Sequence, residues 1–539
     1  MAEMTGGDAA CHALRALGVR HVFGIVSVHN IPIYDAILRH GGIETISVRH
    51  EQAAVHAADA YARATGKLGV AIASTGPGTT NTVTGLYEAF FASSPVLLLT
   101  GQVETRFLGK GKGVLHEAEN QLAMLRTVTG RAECVERTDA IAPTILGVAA
   151  SMQSGRARPA AVEIPIDLQY ATADCTIPAF EPPEPLRPDA AEVERALQLL
   201  RESSRRVLWI GGGVQSSGAW GELVKLAERL QAPVLTTVRG RGGIPEDHPL
   251  CIGNMTQMRS VLKTIAEADL VLAVGTRFQG EAVGEWRLPM PGKLIHLDVD
   301  PGVIGRNYRA HVALVADARR GLCALLEASD IPAGSAEFLE RMQEARHTSR
   351  QELLQLIGPD FEAIMNHMRE ALPESAIIAR DATMAAYYWG NRLFPILKPL
   401  KSMYPASAAI GPGLPLAIGA SVGSGQKTVL IQGDGGFMLH IGELATAAQY
   451  QLPIIICVFN DKGYDVLRRI QAARFEGRTT GVELSTPDFV ATAQGMGIEG
   501  HHVSGVDDFR AAFSEAVEAK GPVLLDIDMS TLHPLNPVR

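Results

Sequence analysis

Short runs of Val, Ile and Leu recur along the chain, separated by stretches long enough for helices, and this alternation limits the possible folds more than any other feature. In the first third, HVFGIV, IETISV, LGVAIAST and PVLLLTG read as buried strands, with helices over 51–64 and 79–92. Continuous apolar runs of about four to eight residues suit strands buried on both faces, and intervening helices supply the crossovers that parallel strands need. A second set follows in RVLWIGGG, APVLTTV, DLVLAVGT and KLIHLDVDP, and a third in SAIIARD, KTVLIQGDGG, PIIICVFND and GPVLLDIDM. A Pro-rich stretch over 177–188, IPAFEPPEPLRP, separates the first two sets. The charged segment EFLERMQEARHTSRQELLQLI reads as a helical connector to the third. The expectation is an α/β protein of three doubly wound parallel-sheet domains, over 1–176, 189–330 and 355–539. A length of 539 residues agrees, since chains divide at roughly 150 residues per domain.

Composition narrows the class. Hydrophobic residues at 46% and charged residues at 20% describe a globular chain, not a disordered one. Lys and Arg number 49 against 58 Asp and Glu, so there is no basic excess for nucleic acid. No apolar run approaches the roughly 20 residues of a membrane span. The start, MAEMTGGDAACHALRALGV, lacks a basic segment followed by an apolar one, so no signal peptide is expected. Six cysteines, at 11, 134, 175, 251, 323 and 457, make no C-x-x-C pair and fit a reducing, cytoplasmic setting. The 54 glycines point to tight turns and close backbone approaches to ligands.

The strongest chemical signal is VLIQGDGGFMLHIGELATAAQYQLPIIICVFND. It sets Asp434 and Asp461 at the carboxyl ends of successive strands, where open α/β sheets bind ligands. Two carboxylates there can hold a hard divalent cation, and Gly435 and Gly436 free N–H groups for a phosphate at the following helix. This segment resembles the signature of the thiamine diphosphate-dependent enzymes. The resemblance implies Mg²⁺ held by Asp434, Asp461 and the carbonyl of Gly463. Asp461 stands where many relatives have Asn, adding a negative charge that Lys462 could offset.

The N-terminal third carries a second part of the resemblance, Arg49-His50-Glu51-Gln52-Ala53-Ala54 followed by Tyr61-Ala62-Arg63. In the family the matching Glu hydrogen-bonds N1′ of the cofactor's pyrimidine and favours the tautomer whose imino nitrogen takes the C2 proton. Ser74 to Asn81 resembles the Gly-rich turn lining the pyrimidine pocket. AAIGPGLPLAIGA places Ile410 where relatives hold the cofactor bent, and Ala408 where a carbonyl takes the 4′-amino hydrogen bond. Thr383 and Tyr464 match diphosphate contacts. The family order is pyrimidine-binding, central and diphosphate-binding domain, and its sites form between chains, so a homodimer or homotetramer is implied. Some relatives keep FAD or ADP in the central domain. GGGVQSSG here departs from G-x-G-x-x-G at Ser216, so FAD is not expected.

His29 matches an active-site His of the benzaldehyde lyases, and His116 matches a Gln or His near the reacting carbon. Either imidazole can move a proton near neutral pH. The chain departs from the acetolactate synthases at Gln279, Gly280 and Glu281, in place of Asp, Asp and the Arg that binds a second 2-oxo acid, and Ile470 replaces a Trp. The expectation is a decarboxylase or carboligase (C–C lyase) acting on a 2-oxo acid or aldehyde. Val28, Leu115 and Ile470 suggest an aryl or branched side chain. An acetolactate synthase-type carboligase and a cofactor-binding relative without turnover are the alternatives.

Overall fold

A computed structural model describes residues 2–288 and 290–535. Three six-stranded parallel sheets dominate it. The first runs, edge to edge, Glu44–Ser47, His21–Gly24, Gly69–Ala73, Val96–Gln102, Ala160–Pro165 and Arg131–Cys134. The third runs Ser402–Met403, Ile377–Arg380, Thr428–Gly433, Ile454–Asn460, Val523–Asp528 and Glu499–Val503. Numbered by position in the chain, both sheets have strand order 2-1-3-4-6-5. The central sheet runs Cys251–Gly253, Val234–Thr236, Arg206–Ile210, Leu270–Val274, Lys293–Asp298 and Val312–Val315, which is order 3-2-1-4-5-6. The fold is thus three-domain α/β with helices over each sheet, the class the sequence predicts. Residues 2–5 and 172–175 add a small antiparallel pair.

In each sheet the early strands are added on one side of the first strand and the next on its other side, and ligands bind open α/β sheets at that switch, outside the carboxyl ends of the strands. In the first sheet it falls between His21–Gly24 and Gly69–Ala73, so residues 25–30 and 74–78 leave the sheet side by side. In the third it falls between Ile377–Arg380 and Thr428–Gly433, so Asp381 and Asp434 emerge together. The sequence candidates therefore gather at two equivalent corners.

The first and third domains meet through helices Glu51–Thr65 and Gly413–Ser424. The first of these is rich in Ala, and Gly419 faces it so closely that a Cβ would lie 1.9 Å from the carbonyl oxygen of Ala57. Small residues allow this backbone-to-backbone approach, which larger ones would prevent. A buried charged group braces the same contact. Arg63 pairs with Asp59 at 3.2 Å and donates to the carbonyl of Tyr404 at 2.8 Å. Glu88 accepts from the N–H groups of Ala406 and Ser407 at 2.5 and 3.0 Å. The charged connector forms helix Ala336–Ala371, kinked at Gly358 before Pro359. Beyond the kink, Phe361, Ile364, Met365 and Met368 join the core of the third sheet.

Candidate cofactor and active site

In the third domain, strand Thr428–Gly433 ends directly at Asp434, and its neighbour Ile454–Asn460 ends just before Asp461. Asp434 is buried and Asp461 half-buried, each with one carboxylate oxygen shielded from solvent. Oδ2 of Asp434 and Oδ1 of Asp461 have no hydrogen-bond partner. Burial, then the charges of Asp434 and Asp465, raises the Asp461 carboxyl to about 7. Burial also raises Asp434, opposed by the backbone N–H groups of Gly435, Gly463 and Asp461. Two carboxylates with shielded, free oxygens want a cation. The positive charges that oppose the Asp461 shift belong to Arg468 and Arg469, not to Lys462 as the sequence suggests. Arg468 and Arg469 each also bond Asp465, at 3.1 and 2.7 Å.

Gly463 pairs with Glu483 in an isolated bridge closed by Tyr464 N–H to Val482 and Leu484 N–H to Lys462. In that geometry the carbonyl of Gly463 points away from Glu483. Among the described residues no group of three or more His, Cys, Asp and Glu could hold a metal. Two carboxylates and a carbonyl leave positions for water and phosphate, which Mg²⁺ prefers to a closed protein cage.

Backbone space beside these carboxylates is reserved. A Cβ on Gly435 would lie 2.5 Å from the Tyr464 ring, and one on Gly436 would lie 3.1 Å from Asp381 and 3.2 Å from Ile410. Thr383 stands beside Gly433. Ile410 is no core residue: it is 41% exposed above this turn. Ala408 holds the left-handed conformation at φ 59°, which non-glycine residues keep only under constraint. That constraint comes from Glu88 on one side and Asp381 on the other. Asp381, which the sequence reading passed over, is fully buried and accepts from Gly411 N–H at 2.9 Å, Gly413 N–H at 3.3 Å and the Gln432 amide.

The first domain supplies a second cluster. Glu51 opens its helix, and its Oε2 accepts from Asn81 Nδ2 at 2.9 Å. Gly78 lies between it and Ser74, since a Cβ there would meet Ser74 at 2.7 Å and Glu51 Oε1 at 3.2 Å. His29 and His116 have ring centroids 5.1 Å apart, and His116 Nδ1 is 3.4 Å from Ser74 Oγ. Burial first, and His116 second, lowers the His29 pKa, and its Nδ1 has no partner. Gln121 anchors the turn through Gly76 N–H at 2.7 Å and Glu163 at 2.8 Å, a support absent from the sequence reading. Among the described residues no hydrogen bond or ion pair joins Glu51, His29 or His116 to Asp434, Asp461 or Ile410.

The descriptions of three family models decide the cofactor: the N-terminal TPP binding, central and C-terminal TPP binding domains of thiamine pyrophosphate enzymes match residues 4–124, 193–325 and 383–527. The chain is a thiamine pyrophosphate enzyme. A probable acetolactate synthase large subunit of Methanocaldococcus jannaschii is 34% identical over 97% of this chain and 92% of its own. The acetolactate synthase isozyme 2 large subunit of Escherichia coli is 33% identical over 99% and 97%. A probable 2-ketoarginine decarboxylase of Pseudomonas aeruginosa is 34% identical over 95% and 92%. This thiamine pyrophosphate enzyme belongs to the decarboxylase and carboligase class.

The central glycines of this thiamine pyrophosphate enzyme also acquire a place. Gly211, Gly213 and Gly275 line a cavity of about 870 Å³, and a Cβ on Gly213 would lie 2.5 Å from Gly275 Cα. Arg239 and Arg277 face the same cavity, lowered by burial to about 9 and about 10. Gln279 borders it, whereas the side chain of Glu281 lies outside the described ones. Among the described residues no helix is long and apolar enough to cross a membrane.

Proposed function

We propose that the protein is a thiamine diphosphate- and Mg²⁺-dependent 2-oxo acid decarboxylase or carboligase (C–C lyase). The pair of carboxylates with shielded, unpartnered oxygens at the ends of adjacent strands carries the reading. Asp434, Asp461 and the Gly463 carbonyl would hold Mg²⁺, and the N–H groups of Gly435 and Gly436 would meet the diphosphate between Thr383 and Tyr464. Ile410 would support the bent cofactor, and the Ala408 carbonyl would accept from its amino group. Glu51 would hold the proton at the pyrimidine nitrogen. When bound, the cofactor supplies a nucleophilic carbon and an electron sink for charge left by loss of CO₂ or C–C cleavage.

Burial and the neighbouring imidazole favour neutral His29. A neutral ring can accept a proton from a substrate hydroxyl and return it, and His116 is near enough to share that work. Val28 and Leu115 on this side, and Ile470 beyond the metal corner, are 54%, 62% and 43% exposed, which supports an apolar aryl or branched substrate. Gln279 and Gly280 bring no cation for a second carboxylate, which favours this reading over an acetolactate synthase. A site shared between chains of a homodimer or homotetramer belongs to this reading, as the family resemblance implies. Six free cysteines suit a cytoplasmic enzyme.

The test is incubation with thiamine diphosphate, Mg²⁺ and a panel of 2-oxo acids, with and without aldehyde acceptors. CO₂ release or ligation is expected with an aryl or branched substrate. Silence across the panel, including cleavage of 2-hydroxy ketones, would remove the reading, and acetolactate from pyruvate alone would support the synthase alternative. The chemistry needs no flavin, and a protein colourless as purified is the expected result.

A further inference from the structure

Glu51 is useful only if its carboxyl meets a fixed point, yet its helix begins at the edge of a loop. The connection from strand Glu44–Ser47 to that helix carries exposed residues Arg49 and His50. What holds it comes from the third domain. Glu443 is buried at 1% exposure, and its Oε1 accepts from Arg49 N–H at 2.9 Å and His50 N–H at 3.1 Å. Its Oε2 accepts from Thr446 Oγ1 at 2.6 Å. Around it, Tyr450 bonds Ser47 N–H at 2.8 Å and the Thr45 carbonyl at 2.9 Å, and Gln449 accepts from Arg49 Nη2 at 2.8 Å.

We infer that Glu443 is a positioning residue for Glu51. Two successive N–H groups converging on one oxygen fix two adjacent peptide planes, and the residue that follows them is Glu51. The Cα–Cβ direction of Glu51 is therefore set from the third domain, while Asn81 sets only the far end of its side chain. Proton transfer requires heavy atoms about 2.6–3.2 Å apart, so a small rotation of this turn weakens it. The role is one of reach and acceptor geometry rather than charge, because both N–H donors and the Thr446 hydroxyl can be met by an amide of the same length.

This inference rests on the assignment of Glu51 to the pyrimidine nitrogen. The full-length protein is loaded with thiamine diphosphate and Mg²⁺, and three things are measured: hydrogen–deuterium exchange at the cofactor's C2, cofactor affinity, and amide exchange at Arg49 and His50. Glu443→Gln should match the wild type within about threefold at C2. Glu443→Asp and Glu443→Leu should be slower by about tenfold or more, with affinity little changed and faster amide exchange at Arg49 and His50. Should the Leu variant fail to fold, the Asp variant carries the test. A fast Asp variant beside a slow Gln variant would show a role for charge and overturn the inference. Wild-type rates in all Glu443 variants, with Glu51→Gln slow, would overturn it while sparing Glu51. A wild-type rate in Glu51→Gln would overturn the Glu51 assignment itself.

Discussion

Asp381 and Glu51 are carboxylates with opposite surroundings. Glu51 meets a single amide donor near the surface, whereas Asp381 is buried and meets several donors. Replacing Glu51 by Gln keeps size and hydrogen-bonding reach but removes the exchangeable carboxyl proton. The turnover rate should fall by about 10²- to 10⁴-fold with modest change in cofactor affinity, measured by steady-state kinetics and titration. Burial raises Asp381 to about 6, against the pull of its N–H donors. Between about pH 4 and pH 6 the unfolded chain releases this proton before the folded one does, so stability falls as pH rises through that window. In the apoprotein, the melting temperature of Asp381→Asn minus that of the wild type should climb over this range and level off above it. A flat difference would mean that Asp381 ionises like an ordinary carboxyl. The position of Asp381 is legible in SAIIARD, an acid closing an apolar strand. Its partners are not, because Gly411 and Gln432 lie 30 and 51 residues away and only the sheet brings them together.

Central strands could be read because burial on both faces leaves continuous apolar runs. Edge strand Arg131–Cys134 reads RAEC, with only Ala132 fully buried, and carries no such run. The helix over Glu51–Thr65 was equally visible, but its Ala content acquires meaning only against Gly419. A methyl group at Gly419 would press on the carbonyl of Ala57, which is backbone and has no rotamer to escape into. Gly419→Ala should destabilise the protein by about 1–3 kcal/mol or more, seen as a lower thermal midpoint, while the exposed Gly425 should tolerate no such comparison because its φ of 63° imposes a separate strain. Glu88 and Glu443 were missed for a related reason. In sequence they look like ordinary helical acids, and only tertiary packing buries them against backbone N–H groups of another domain.

The whole molecule presents two corners built on the same strand order, one bearing Glu51 and the histidines and the other bearing the acidic pair. If each site draws one corner from each of two chains, two differently damaged chains can repair one another. Glu51→Gln and Asp434→Asn should each be inactive, and their reassociated mixture should recover about a quarter of wild-type activity, since half of randomly formed dimers are mixed and each mixed dimer has one intact site. No recovery, with mixed dimers demonstrated, would place both corners of a site in one chain. The contact of Gly419 with Ala57 bears on inheritance. Where two helices touch through their backbones, the distance between the turns they carry does not depend on which side chains fill the surrounding core. The core can therefore drift in composition over long periods while the spacing of the Glu51 and Ile410 turns stays constant, provided that one glycine is kept.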